Sequence, residues 1–309
     1  LPTRRREAEA WLMAGMASAF PAFIFNSLIA PELIPFDSVY WTEFSLLAVG
    51  APLCEEIFKA MAVALFLPYI KGPKHGFQVG FTVGLGFALI ENFQYIGFSL
   101  LGGPVGLSFT ILVRGIGSIP GHAVWTGISG IAIGWAATDK ELKAKLSWKA
   151  RSVAISAIDI AEGIGIDTDG DGDLSGFDGP RPTMDEAMSH ASKEIEESKP
   201  WRILGQEEFG ANPTESELVA DDFSLTYEKS THQNQSGFRT PRGIAPALAL
   251  SIAGHSFWNG SSFLSLSAAE SLGLGEAGST LAVFSWIFFL ICSVLLVARG
   301  VIRGVNSLE

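Results

Sequence analysis

The sequence predicts an all-α protein: a polytopic membrane helical bundle of about six spans, with an acidic cytoplasmic insert. Three observations carry this expectation. Hydrophobic residues make up 48% of the 309 positions and charged residues only 17%, where a soluble domain carries about a quarter charged residues. Mostly apolar runs recur at 10–31, 43–70, 76–101, 107–137, 244–268 and 278–302, and about 20 such residues cross a bilayer as a helix. Lysine and arginine cluster only in alternate loops between those runs.

The first run follows Arg4, Arg5 and Arg6. It is too long for the core of a signal peptide and lacks a small-residue cleavage site, so it is read as a span. Lys71 and Lys74 separate the second run from the third, and Lys140, Lys143, Lys145, Lys149 and Arg151 follow the fourth. Arg239 and Arg242 precede the fifth, and Arg299 and Arg303 close the sixth. The loops around 32–43, 102–106 and 271–278 hold no basic residue. The positive-inside rule then places both termini and the insert in the cytoplasm of a multi-pass cell-membrane protein. The period-two alternation of a barrel is absent, which leaves helices as the spanning form.

The expected organisation is spans one to four over 1–138, a hydrophilic insert over 139–243, and spans five and six over 244–309. Between Asp139 and Arg242 stand 21 acidic and 12 basic residues, so most of the net charge of −11 belongs to the insert. No basic patch with interleaved aromatics occurs, and nucleic acid is not an expected partner. Cys54 and Cys292 both lie in apolar runs and read as small buried side chains rather than a disulfide framework.

Ionisable side chains are costly in hydrocarbon and mark functional sites. The second run carries Glu55, Glu56 and Lys59, the third Glu91 and Asn92, the fourth Arg114 and His122, and the fifth His255 and Asn259. At about 1.5 Å rise per residue, Glu55 and His122 lie roughly 18 and 22 Å from the outer ends of their runs. Glu91 and His255 lie roughly 22 and 17 Å from the inner ends of theirs, by the same rise. Four helices thus deliver polar groups near one depth. Glu55 with Lys59, and His255 with Asn259, are four apart and share helix faces. Adjacent carboxylates at low dielectric cannot both ionise cheaply unless a cation compensates, and Lys59 can supply that charge. A glutamate beside histidines is equipped to activate water. Gly121, Gly254 and Gly260 would let helices approach closely around such a centre. A lone His or Asn in a span more often ties helices together, but several at one depth point to a functional centre.

Four patterns occur in order along these runs: Glu-Glu-x-x-Lys at 55–59, Phe-x-x-x-Glu-Asn at 87–92, Pro-Gly-His at 120–122 and His-x-x-x-Asn at 255–259. Together they resemble the PrsW family of intramembrane proteases, related to the CAAX-processing and bacteriocin-processing membrane proteases. The resemblance covers the membrane core, about two thirds of the chain. It implies that Glu55 and Glu56 supply the general base, that His122 and His255 stabilise the oxyanion or assist proton transfer, and that Asn259 is a hydrogen-bond partner. Glu91 stands where the CAAX-type relatives carry a histidine. Two histidines and a glutamate can bind zinc, whereas a glutamate–water mechanism needs no metal; both remain open here.

Within the insert, residues 167–178 read Asp-Thr-Asp-Gly-Asp-Gly-Asp-Leu-Ser-Gly-Phe-Asp. Asp167, Asp169, Asp171, Ser175 and Asp178 occupy side-chain ligand positions of an EF-hand-type loop. Asp173 would offer its backbone carbonyl and Gly172 the sharp turn. Calcium or magnesium is the expected cofactor. Asp178 in place of the usual Glu, and Gly179-Pro180 where an exit helix should begin, depart from the pattern. Residues 140–164 have helical spacing, Thr183 to Glu186 reads as a capping box, and 205–243 reads as a polar linker.

The expected activity is hydrolysis of a peptide bond of a membrane-associated protein, the bilayer and that substrate being the partners. The alternatives are a proton- or ion-coupled transporter using the same midplane carboxylates, and a cation-regulated scaffold with an inactive centre.

Overall fold

The computed structural model describes residues 5–33, 38–167, 172, 174–181, 183–186, 188–189 and 240–308. The described residues form helices and no strand. The chain divides into two compact units, Leu1–Asp139 with Arg239–Glu309, and Lys140–Phe238.

In the first unit, α1 (Arg5–Ile24) runs through a π-helical turn, Phe25–Ile29, into a short α2 (Ala30–Leu33). A second π turn, Leu46–Gly50, joins α3 (Val39–Ser45) to α4 (Ala51–Ala64). After α5 (Pro73–Ser99), a third π turn, Arg114–Ser118, joins α6 (Gly103–Val113) to α7 (Ile119–Ala136). The second unit contributes α8 (Lys140–Gly163), and the first unit resumes with α9 (Ile244–Ser271) and α10 (Gly275–Asn306). All six apolar runs are therefore helical. Three stretches, Arg6–Leu33, Pro73–Ala136 and Gly275–Asn306, are long and apolar enough to cross a membrane by length and composition. The middle one contains the third and fourth runs together. The second and fifth fall short of that apolarity, and these are the runs holding Glu55, Glu56 and Lys59, and His255 and Asn259.

Prolines explain where two of the wide turns occur. A proline lacks the N–H that would pair with the carbonyl one turn back. Pro52 leaves Ala48 without its usual donor, and Pro120 does the same for Ile116; both carbonyls lie inside π turns. The N–H of Ala51 instead bonds to Leu46 O, and that of Ile119 to Arg114 O, each five residues back. Such bulges inside α-helices are frequent at functional sites.

Packing is tightest where α5 lies antiparallel between α1 and α7. Methyl groups added at Gly76, Gly80 or Gly84 would overlap the carbonyl oxygens of Gly130, Thr126 or His122. On the other side, Gly86 meets Leu12 O and Gly15 meets Val83 O in the same way. Gly260 faces Ala48, whereas Gly121 and Gly254 make room for the Trp125 ring. The close approach expected at Gly121, Gly254 and Gly260 is thus tighter along the Gly76–Gly84 row. Phe93, Phe98, Leu101, Phe288 and Leu296 are well exposed, a surface that only lipid solvates well.

In the second unit, the Gly176 N–H donates to Glu162 Oε2 at 2.7 Å and the Phe177 N–H to Asp159 Oδ1 at 2.9 Å. Arg181 donates to both Asp159 oxygens, at 2.8 and 2.9 Å. These contacts hold the Asp159 carboxyl below the usual carboxylate range, the Arg181 hydrogen bonds acting most strongly. The capping box is present, with Thr183 N–H donating to Glu186 Oε2 and Glu186 N–H to Thr183 Oγ1.

Candidate active site

Helix α4 is entered through the Leu46–Gly50 π turn and Pro52, and its buried face carries Glu55, Glu56 and Lys59. Glu91 and Asn92 come from α5, Arg114 from the third π turn, His122 from the first turns of α7 and His255 from α9. The Lys59 ammonium, fully buried, lies 2.5 Å from Glu56 Oε1, 2.9 Å from His122 Nδ1 and 3.9 Å from Glu55 Oε2. It also sits over the Phe87 ring at 4.3 Å.

This network assigns the histidine tautomers. His122 accepts from Lys59 at Nδ1, so its Nε2–H donates to Glu91 Oε2 at 2.8 Å. His255 donates Nδ1–H to Glu56 Oε1 at 3.1 Å, which turns its Nε2 lone pair toward Glu55 Oε2, 3.8 Å away. Trp125 stacks on His255, centroids 5.0 Å apart and planes 12° from parallel. Arg114 clasps Glu91 at 2.5 Å and donates to Asn92 Oδ1 at 2.7 Å. Three carboxylates thus face two permanent cations. A proton or a metal ion must balance the remainder in so dry a setting.

The gap between Glu55 Oε2 and His255 Nε2 has an acceptor on each side, and Glu55 Oε2 is buried without a hydrogen-bond partner. Donor atoms of Glu55, His122 and His255 all lie within 4.8 Å of one another. Two histidines and one carboxylate are a zinc-type donor set. His255 is held through its other nitrogen by Glu56 and His122 has Glu91 at Nε2, the orienting arrangement usual behind metal ligands, and Lys59 would have to yield His122 Nδ1 to the ion. The residues present fit a metal.

Asn259 is not part of the cluster. Leu46 O already takes the Ala51 N–H, and the residue five beyond Leu47 is Pro52, so the Leu47 carbonyl has no helical donor. Asn259 Nδ2 donates to it at 3.2 Å, tying α9 to the entry of α4. Sequence reasoning missed Asn26, whose Nδ2 reaches Glu55 Oε1 at 3.4 Å from the first π turn. A lone Asn inside an apolar run was the signal available. A cavity of about 690 Å³ opens beside Glu55 and Glu91, walled by α1 and its π turn, α3, α5 and Phe263. Of the insert ligands, Asp167, Ser175 and Asp178 are described, and Asp169, Asp171 and Asp173 lie outside the described residues. The Gly172 N–H donates to Asp167 Oδ2 at 3.2 Å, with Gly172 at φ +86°.

A protein family described as PrsW family intramembrane metalloproteases has a sequence model that matches residues 6–158, about half of the chain. The chain belongs to the PrsW family. It is accordingly an intramembrane protease whose substrate is a membrane protein in a lipid bilayer. Glu55, Glu56, Lys59, Glu91, Arg114 and His122 fall inside the part matched by the PrsW model, while His255 and Asn259 lie beyond it and join through α9. Comparisons with curated proteins and with solved structures gave no match.

Proposed function

We propose that this PrsW protein cleaves a peptide bond of a membrane-associated protein with water activated at Glu55, His122 and His255 standing beside it. The observation supporting this most directly is the pair of acceptors, Glu55 Oε2 and His255 Nε2, 3.8 Å apart beside the cavity. A water there donates one hydrogen bond to each, and Glu55 takes its proton as the oxygen attacks the scissile carbonyl. Glu56 is fully enclosed and meets no substrate. It holds the His255 tautomer and, with Lys59, fixes the local charge. Lys59 sets positive potential behind the developing oxyanion, and His122 holds the Lys59 ammonium in place. Glu55 then returns the proton to the leaving amine. Glu91 is oriented by Arg114 and His122 as the second carboxylate on the cavity wall.

Glu55, His122 and His255 are the residues that would hold the metal implied by the family description, and a zinc-type ion supplies Lewis-acid polarisation of water and carbonyl. Purified protein is expected to carry about one equivalent of such an ion by elemental analysis, and His255→Ala to lose it.

In the insert we infer a calcium or magnesium site from Asp167, Asp169, Asp171, Asp173, Ser175 and Asp178. Support comes from the Asp167–Gly172 turn, the sharp bend that the sixth position of such loops requires. The six helical runs are taken to cross the membrane with both termini and the insert cytoplasmic. A transporter gains nothing from membership in a protease family.

The test is cleavage of a panel of single-span peptides in liposomes. Wild type cleaves at least one, and Glu55→Gln lowers its turnover on the order of 100-fold or more. Wild-type turnover in Glu55→Gln rejects the assignment.

A further inference from the structure

Asn26 lies in the π turn that continues α1, in register with Ala19, Ala22 and Ala30, all three buried. These small residues let α1 approach α4, and Asn26 is the polar side chain among them. The π turn that begins at Phe25, where the Ala30 N–H bonds to Phe25 O, carries Asn26 to the cavity wall beside Glu55. Its two side-chain ends face different tasks. Nδ2 donates to Glu55 Oε1 at 3.4 Å, the oxygen not facing His255. Oδ1 is buried and has no hydrogen-bond partner. A buried acceptor without a donor is costly, so this carbonyl is available to a donor that enters the cavity. A molecule entering the cavity that Asn26 lines is a source of that donor.

Peptide substrates bring such donors in their backbone N–H groups. The cavity that Asn26 and Glu55 share is otherwise mostly apolar, with Phe20, Phe23, Phe87 and Phe98 on its walls. Its other polar groups include Glu43, Glu91, Gln94 and Tyr95, and Asn26 is the one hydrogen-bonded to Glu55. We propose that Asn26 is a substrate-binding residue of the reaction centre: its carbonyl oxygen accepts a backbone N–H next to the scissile bond while its amide nitrogen steadies Glu55. This rests on the reading of Glu55 as the base. Peptide register and base are thereby set by one side chain, so a segment held in an intact helix, with its N–H groups already paired, is a poor substrate.

The experiment uses the full chain in liposomes and a single-span peptide that wild type cleaves, prepared as a series with one backbone nitrogen methylated at a time. Wild type is expected to lose turnover on the order of 10-fold at one position beside the scissile bond, beyond any general effect of methylation. Asn26→Leu, close in volume but without the amide, should lower kcat with the unmodified peptide by on the order of 10- to 100-fold. It should show no further loss at that methylated position, the non-additivity expected of partners in contact. Leu28→Ala, in the same π turn but exposed, should behave as wild type. Should Asn26→Leu lower the Tm, Asn26→Ala, which continues the alanine face, makes the same comparison. Wild-type kcat in the Asn26 variants, or a methylation profile unchanged from wild type, overturns the proposal. If Glu55→Gln is inactive in that case, only the Asn26 assignment falls; if Glu55→Gln is active, the reading of the base falls with it.

Discussion

Lys59 and Glu55 sit one turn apart on α4 and should respond to mutation in opposite ways. Lys59 is fully buried and its ammonium touches Glu56 and His122. Removing it leaves an uncompensated buried carboxylate, so Lys59→Met should destabilise by about 3–5 kcal/mol, read as a lowered Tm in detergent. Glu55 Oε2 has no hydrogen-bond partner to lose, so Glu55→Gln should keep its Tm while losing turnover. His122→Ala and His255→Ala should each lower turnover on the order of 100-fold. The charged and imidazole members of this cluster were visible in the sequence because such groups stand out against an apolar run. Asn26 was not, since a neutral amide carries no charge signal and its contact depends on a widened helical turn. The Leu47 partner of Asn259 was hidden for the same reason: it follows from how Leu46, Ala51 and Pro52 share hydrogen bonds, which no spacing of side chains reveals.

Among the helices, α5 and α7 set the position of His122. A methyl group at Gly84 would overlap His122 O and lie 2.8 Å from Ala123 Cα. Gly84→Ala should therefore push α7 outward, costing about 1–3 kcal/mol as overpacking does and lowering turnover as His122 leaves Lys59 and Glu91. Unfolding and cleavage assays read both. Helix positions followed from apolar run lengths, but the glycine row facing α7 could be told from other glycines only once the antiparallel register was known. In the insert, Asp159 has its folded pKa depressed by Arg181. Its contribution is present above the ordinary carboxylate range and is lost as pH falls through the folded value. The protection of the Phe177 amide against hydrogen exchange, referred to the intrinsic rate at each pH, should therefore be greater at neutral pH than in acid, and Asp159→Asn should remove that difference. Equal protection factors at both pH values would contradict the clamp.

For the whole molecule, hydropathy and the placement of basic residues made a helical membrane protein legible, while the number of crossings was harder. The second and fifth runs give up apolarity to carry the site, so composition alone counts three stretches. With Cys292 replaced by serine, a cysteine at Lys145 should label only from the cytoplasmic side and one at Gly102 only from the other. Labelling of both from one side would refute the six-crossing topology. Calorimetry should show heat of calcium or magnesium binding at millimolar concentration, absent in Asp167→Ala with Asp171→Ala, and the bound ion should raise the Tm by mass action. Basal cleavage should survive that double change, because the catalytic groups stand on α4, α5, α7 and α9. The central claim is that Glu55 on α4, with Glu56 and Lys59 fixing the charge behind it, drives water onto a peptide bond. The measurement that tests it most directly is turnover of a single-span peptide by Glu55→Gln, judged folded by an unfolding transition like that of wild type. The account predicts no cleavage above background; cleavage at the wild-type rate would contradict it.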